Sequence, residues 1–451
     1  MGLSGLDIFK QLPKTNCKEC GLPTCLALAM ALASGKASLE KCPHVSDAAK
    51  AALGAAAAPP IKLVAIGAGE AKVEIGDETV IYRHDKTFLH PTGVAVDLPA
   101  TLPDDELAAR AAKIDAMVLE RVGLHYRPDM LAVSQRSASA QRFVEAVGIV
   151  ARSSRRPMVL ISSDAEAMKA AAAAAGRPRC LLAGADKNNY EAMAALATAA
   201  NCPLVVKGDD LDSLADLAQR AAGLGVKDIV LDSGARQTSR VLADLTQMRR
   251  LSITRRFRPL GYPTVAFTTE QSPRAAAVQA GLYIGKYASM VVLPLTEPHH
   301  LLPVLAWRGN VYTDPQKPIQ VEAKVNAVGA VNPESPVYVT TNFSLTYFTV
   351  EGEVTASKVP SYILPVDTEG TSVLTAWASG KFSAESIAAA LKKSNMEEIV
   401  GHKTLVLPGF VAVLSGKLQE LSGWKVLVGP REAAGIPAFA KSRFGNLAAD
   451  D

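Results

Sequence analysis

Cysteine is scarce in this chain, six among 451 residues, and aromatic residues amount to only 5%. Long apolar runs are absent too. The longest, LVLPGFVAVL from Leu405, is broken by Pro408 and Gly409, which excludes a bilayer-spanning helix. MGLSGL has no basic segment leading into a long apolar one, and Leu6 stands where a myristoylation signal requires Ser or Thr. These absences point to the cytoplasm, where gathered cysteines hold metal more often than they form disulfides. A formal net charge of +4 is too small for a nucleic-acid protein, which concentrates basic residues beside stacking aromatics. The densest basic run, RRLSITRRFR from Arg249 to Arg258, reads as a solvated surface or a docking patch for a protein. There is no P-loop, and no GxGxxG follows a first strand, so the common nucleotide folds lack their fingerprint. What remains is an alanine-rich globular chain long enough for about three domains.

Four of the six cysteines fall in the first tenth of the chain, as Cys17-x2-Cys20-x4-Cys25-x16-Cys42. Two thiolates separated by two residues bend around one metal centre, Cys25 adds a third from the next turn, and a returning loop brings Cys42. An iron–sulfur cluster fits this spacing. A zinc site usually shows two tight Cys knuckles, whereas Cys42 stands alone before Pro43; zinc and metal-free buried thiols remain as alternatives. CLALAMALAS, from Cys25, reads as a helix apolar on all sides that ends at Gly35. Cys180 and Cys202 flank apolar strand-like runs and read as core residues.

Residues 44–60 lose periodicity and end in two prolines, the pattern of a linker. KLVAIGAGEAKVEIGDETVIYRHD alternates as an antiparallel hairpin does. From Gly93 eight short apolar runs (GVAVDL, MLAVS, PMVLIS, CLLAG, PLVVKG, DIVLDS, TVAFTT, MVVLPL) alternate with helix-length stretches. Eight buried parallel strands with intervening helices predict a (β/α)8, TIM-like barrel. Asp186, Asn188, Asn189, Lys207, Asp209, Asp232 and Glu270 lie at strand ends, where such a barrel places chemistry, but without persuasive His or carboxylate pairs a scaffold or docking role is the better reading. GADKNNYEAM gives a weak hint of a pterin-type methyltransferase barrel.

In the last third, VYVTTN, SYILPVD, KTLVLPG and WKVLVGP alternate with helical stretches and predict a doubly wound α/β domain. Ligands in such sheets bind beyond the carboxyl ends of the strands. Gly370, Thr371 and Ser372 open a helix there, although an ordinary Ser/Thr cap has the same look. Ala433 and Ala434, after the last strand, are small enough for a flat macrocycle to approach the backbone; small residues are also ordinary turn chemistry. The seven histidines form no metal-ligand spacing, and none sits in a D-x-H-x-x-G setting.

Taken in order, a small N-terminal cluster domain with its linker (1–58), a barrel (59–322) and a ligand-binding α/β domain (323–451) resemble the large (gamma) subunit family of corrinoid iron–sulfur proteins of the reductive acetyl-CoA (Wood–Ljungdahl) pathway. GLDIFKQLPKTNCKECGLPTCLALAMALASGKASLEKCP carries the likeness at one end; TTNFSLTYFTVEGEV, VDTEGTSVLTAWASGKF and LPGFVAVLSGKLQELSGWKVLVGPREAAGIPAF carry it at the other. The resemblance implies a carrier of methyl groups that is not an enzyme on its own. Its cob(I)amide would take methyl from a methyltetrahydrofolate-type pterin through a separate methyltransferase and pass it to acetyl-CoA synthase/CO dehydrogenase. It further implies that Cys17, Cys20, Cys25 and Cys42 bind [4Fe-4S] and that Thr340, Thr346, Gly370, Thr371, Ser372, Val373 and Ala433 cradle a cobalamin-type corrinoid. A small subunit completing a heterodimer and a low-potential electron donor are the other partners implied. Lys18 departs from the smaller residue expected in the cluster motif.

The pairing of cofactors makes chemical sense. An axial imidazole would stabilise oxidised cobalt, so a corrinoid without a protein histidine beneath it is easier to keep as the Co(I) nucleophile. Occasional oxidation to Co(II) stalls the cycle, and a thiolate-ligated cluster can be poised low enough to return the electron. The Ala/Pro linker is expected to let the cluster and corrinoid domains change their separation; a crosslink that leaves reactivation and methyl transfer unchanged would refute it. The alternatives are a pterin-dependent methyltransferase barrel with an Fe–S electron-transfer domain, which predicts methyl transfer to free cobalamin by this chain alone, and an iron–sulfur scaffold whose α/β domain holds no cofactor.

Overall fold

The computed structural model describes residues 5–33, 37, 39–46, 49, 59–121 and 124–447. The chain folds as two units, one of residues 1–81, 89–115 and 128–296, the other of residues 82–88, 116–127 and 297–451. No helix among the described residues is long and apolar enough to cross a membrane. Most of the expected linker, and the expected end of the second helix at Gly35, lie outside the described residues.

In the first unit, helices Gly5–Gln11 and Cys25–Ala33 pack around Ile8, Leu12, Leu28, Ala29 and Val45. A hairpin follows, β1 (Val64–Ile66) paired antiparallel with β2 (Val73–Ile75). The predicted alternation stops there: residues 76–92 form no strand but are tied down by side chains. β3 (Gly93–Pro99) begins the barrel; β4 (Leu119–Arg121) and β5 (Leu124–Tyr126) form a small hairpin of the second unit. The barrel continues with β6 (Met130–Ser134), β7 (Met158–Ile161), β8 (Leu181–Ala185), β9 (Leu204–Lys207), β10 (Ile229–Asp232), β11 (Val265–Phe267) and β12 (Met290–Leu293).

Hydrogen bonding runs β10-β9-β8-β7-β6-β3-β12-β11, all parallel, and a parallel bridge between Leu231 and Thr264 joins the two ends. The eight predicted runs therefore form one closed barrel. Alternate strand residues, Ala95, Ala132, Val159, Ala183, Val205, Val230 and Val292 among them, fill its interior, as the period of two requires. Val64, Ile66 and Ile75 of the hairpin join that core. The Gly67 amide donates to the Arg179 carbonyl (2.9 Å) and the Lys62 amide to the Gly261 carbonyl (3.0 Å), so the hairpin stoppers the end of the barrel where its strands begin.

Arg249 and Arg258 depart from the reading of the basic run as a solvated surface, whereas Arg250 and Arg255 are exposed as expected. Arg249 is buried, pairs with the equally buried Glu78 at 3.0 Å and also donates to the Val80 carbonyl; Glu78 in turn accepts the Leu89 amide. Arg258 donates to the Pro59 carbonyl at 2.8 Å. These arginines staple strandless segments to the barrel.

The second unit is built on a sheet of β13 (Asn326–Val328), β14 (Val337–Thr341), β15 (Ser361–Val366), β16 (Thr404–Leu407) and β17 (Lys425–Val428), ordered β13-β15-β14-β16-β17. The four predicted strands are parallel; β13 is an antiparallel edge that the sequence reading missed. Helices Ser344–Ser357 and Ile436–Phe444 cover one face through Tyr347, Val354 and Ile436. Helices Val373–Ala378, Ala384–Lys393 and Ser415–Ser422 cover the other through Ala376, Ile387, Leu391 and Leu418. The order of connections reverses between β14 and β16. That reversal marks the crevice where open α/β sheets bind ligands.

Candidate functional site

The cysteine module is shaped by backbone that most residues avoid. Lys14, Asn16 and Lys18 have φ of 58°, 50° and 65°, and Gly21 has 78°. This left-handed series turns the chain tightly between Lys14 and Gly21, the stretch that holds Cys17 and Cys20. The Gly21 amide donates to the Lys18 carbonyl at 2.9 Å, so the position where a smaller residue was expected is the left-handed corner of a turn. The Asn16 amide donates to Cys25 Sγ at 3.4 Å, and Asn16 Oδ1 accepts the Cys25 amide at 2.8 Å, fixing the third cysteine to the loop of the first two.

Cys25 and Cys42 are buried and join Cys20 in the small core; Cys17 is exposed. Cys17 Sγ, a Glu19 oxygen and a His44 nitrogen lie within 4.8 Å of one another, and His44 Nε2 sits 3.0 Å from Glu19 Oε2. Neither Glu19 nor His44 was singled out from the sequence as a neighbour of the thiols. Cys180 and Cys202 are buried in the barrel wall, as expected, and burial pushes the Cys180 thiol up to about 12. A thiol that stays protonated is a poor metal ligand.

The polar strand ends of the barrel are largely occupied by local bonds. Asp232 receives Arg236 through both oxygens, Lys187 reaches Asp209 at 2.8 Å, and Asn189 Nδ2 donates to the Ser163 and Gly184 carbonyls.

At the switch point of the second sheet lies a cavity of ≈ 350 Å³. Thr340 and Thr346 line it beside β14, Ser372 and Val373 from the following helix start, and Ala433 from the loop after β17. Gly370 and Thr371, grouped with these in the sequence reading, do not line it. They belong to the loop that holds Ser372 in place: Asn342 Oδ1 accepts the amides of Thr368 and Gly370, both at 3.0 Å, while Thr371 Oγ1 donates to the Thr368 carbonyl at 2.8 Å. Gly370 has φ +71°, and a Cβ there would meet Gln320 Cγ at 2.6 Å, so a side chain would be strained and would displace Gln320.

Tyr338, Val350, Leu374, Phe410 and Arg431 also line the cavity and were missed. Gly409 lets the loops after β16 and β17 clasp one another; its amide donates to the Pro430 carbonyl at 3.0 Å, and a Cβ would meet the Gly429 carbonyl at 2.6 Å. Arg431 and Glu432 are the charged residues in a lining that is otherwise apolar or hydroxylic, and among the described residues no histidine lines it. His402 bonds the Ser335 carbonyl at the opposite, amino end of the sheet. The hydroxyls of Tyr338 and Thr340 are buried with no hydrogen-bond partner among the described residues. Such groups are rare in native proteins.

A cysteine-rich module, a closed parallel barrel and an open sheet with a crevice at its switch point define a multi-part α/β protein. The chain belongs to the family of corrinoid/iron–sulfur protein large subunits and acetyl-CoA decarbonylase/synthase gamma subunits. Residues 63–440 match the family model described as CO dehydrogenase/acetyl-CoA synthase delta subunit, and residues 12–44 match one described as a putative Fe-S cluster. The chain is 54% identical over 446 residues to the corrinoid/iron-sulfur protein large subunit of Moorella thermoacetica, covering 99% of this chain and 100% of that one. It is 37% identical to the acetyl-CoA decarbonylase/synthase complex subunit gamma of Methanothermobacter thermautotrophicus, covering 97% of this chain and 98% of the relative. Among solved structures, the dihydropteroate synthase of Vibrio fischeri aligns with 50% of this chain and 95% of its own at 15% identity and a TM-score of 0.38, a likeness too remote to bear on function.

Proposed function

We propose that this chain is the corrinoid- and cluster-bearing methyl carrier of an acetyl-CoA synthase system. Bound to it, a corrinoid supplies a cobalt that accepts and releases a methyl group, and a [4Fe-4S] cluster supplies single electrons at low potential. Cys17, Cys20, Cys25 and Cys42 are the cluster ligands in this reading, and the Asn16 amide on Cys25 Sγ tunes one of them by hydrogen bonding. Thr340, Thr346, Ser372, Val373 and Ala433 hold the corrinoid, with Gly370 and Thr371 acting one layer further out through the Asn342 network.

The single observation that carries the reading is the cavity itself, at the carboxyl ends of β14 and β16, with two orphaned hydroxyls and no imidazole in its wall. A corrinoid held there would meet no imidazole from this wall among the described residues. The carrier therefore needs partners: a methyltransferase that loads it from a methylated pterin, the synthase that unloads it, a small companion subunit and an electron donor.

Chain purified without oxygen together with its companion subunit should contain four irons per one cobalt, an expectation that follows from one cubane and one macrocycle. Its visible spectrum should show corrin bands over a broad cluster shoulder. Iron without cobalt would refute the carrier, and methyl transfer from methylpterin to free cobalamin by the chain alone would favour a methyltransferase barrel.

A further inference from the structure

The four cysteines of the module are not equally placed. Cys25 and Cys42 are buried and Cys20 is half-buried in the small core, whereas Cys17 is exposed. An iron held by Cys17 therefore faces solvent, where chelators and other displacing ligands reach it first.

Two other donors stand at that corner. Glu19 lies in the left-handed turn closed by the Gly21 amide on the Lys18 carbonyl, between Cys17 and Cys20. His44 follows Cys42 and Pro43; the fixed φ of proline and the buried Cys42 and Val45 on either side pin it to this part of the surface. Cys17 Sγ, a Glu19 oxygen and a His44 nitrogen all lie within 4.8 Å of one another. Bonds of about 2.3 Å from metal to sulfur and about 2.1 Å to nitrogen, as at zinc, allow two donors on one metal to stand about 4.4 Å apart. A small side-chain shift thus brings the imidazole to the iron of Cys17. His44 Nε2 sits 3.0 Å from Glu19 Oε2. An ionised carboxylate only accepts, so in the neutral ring Nε2 carries the proton and Nδ1 keeps its lone pair. A carboxylate on the second nitrogen is what orients ligating imidazoles in general. Among the described residues no second group of this kind forms around Cys20, Cys25 or Cys42.

We propose that His44, positioned by Glu19, is a reserve ligand for the solvent-facing iron: where the Cys17 thiolate is missing or displaced, the imidazole takes over and the module keeps its metal. This rests on the cluster reading above. Imidazole is a competent iron ligand, and exchanging a thiolate for a neutral ring raises the potential of an iron–sulfur centre.

The test uses the full-length chain reconstituted with iron and sulfide without oxygen. Cys17→Ala should keep about four irons, as should His44→Ala, whereas Cys17→Ala/His44→Ala should fall to about three or fewer, a cubane short of one corner. Cys42→Ala should lose iron as the double variant does. With isotopically labelled histidine, the reduced cluster of Cys17→Ala should show a nitrogen coupling in pulsed electron paramagnetic resonance, and its midpoint potential should lie above that of wild type. Glu19→Gln added to Cys17→Ala should weaken retention of the last iron against a chelator about tenfold, the cost of losing an outer partner of a ligand. Iron content in Cys17→Ala no higher than in the double variant, or a retained cluster without histidine coupling, would overturn the assignment, and unchanged retention with Glu19→Gln would overturn the part given to Glu19. Wild-type chain that takes up no iron, or holds zinc in its place, would overturn the cluster reading itself, and is thereby told apart from failure of the reserve ligand.

Discussion

Asp97 closes the carboxyl end of β3 with a carboxylate that is almost wholly buried. Its Oδ2 accepts from Ser134 Oγ at 3.0 Å and from Arg136 Nη2 at 2.7 Å, while Oδ1 has no partner among the described residues. Burial raises its pKa, and the bonds from Arg136 and Ser134 only partly oppose that. A raised folded-state pKa means that the native protein holds this proton more tightly than the unfolded chain does. The contribution to stability is complete below the unfolded value and is lost as pH rises through the folded one. Asp97→Asn has no such proton to lose. The stability of wild type relative to Asp97→Asn should therefore fall as pH rises above the ordinary aspartate range in urea titrations, and a constant difference would contradict it. The cysteines divide at the same scale. Cys42→Ser should lose most bound iron, whereas Cys180→Ser, which changes a thiol already held protonated in the barrel wall, should keep the wild-type iron content by metal analysis.

Among elements, the loop between β15 and helix Val373–Ala378 depends most on a single neighbour. Asn342 Oδ1 accepts from the Thr368 amide, the Thr368 hydroxyl and the Gly370 amide, and its Nδ2 donates to Gln320 and Asp367. Asn342→Ala leaves buried amides unpaired and should cost about 1–3 kcal/mol in denaturant unfolding, with weaker corrinoid retention because Ser372 and Val373 lose their support. The sequence reading passed over Asn342, since an Asn after a strand looks like any turn. It also passed over Tyr338, whose alternation within VYVTTN is that of an ordinary core strand; only the absence of a partner for its hydroxyl among the described residues sets it apart. The barrel strands were legible because each is a short apolar run buried on both faces, from GVAVDL to MVVLPL. β13 was not, being three half-exposed residues on a sheet edge without an apolar pattern. Arg249 was misread because a charge looks solvated until its partner is known, and Glu78 lies 171 residues away in the chain.

At the scale of the whole molecule, the thiolate module and the crevice belong to different compact units, and each has its own hydrophobic core. Among the described residues the cysteine core is assembled from Ile8, Leu12, Leu28 and Val45 of the first unit. Ligand binding in the second unit should therefore survive loss of the cluster. A full-length chain with Cys17, Cys20, Cys25 and Cys42 all changed to Ser should contain no iron yet retain corrinoid at the wild-type cobalt content. In this variant a low-potential protein donor should fail to return oxidised cobalt to its methyl-accepting state, while a small chemical reductant that reaches the crevice directly should restore it. The corrin absorbance separates the outcomes. Lost cobalt would mean that the module supports the crevice structurally, and undiminished reactivation by the protein donor would mean that electrons reach the cobalt without passing through the thiolates.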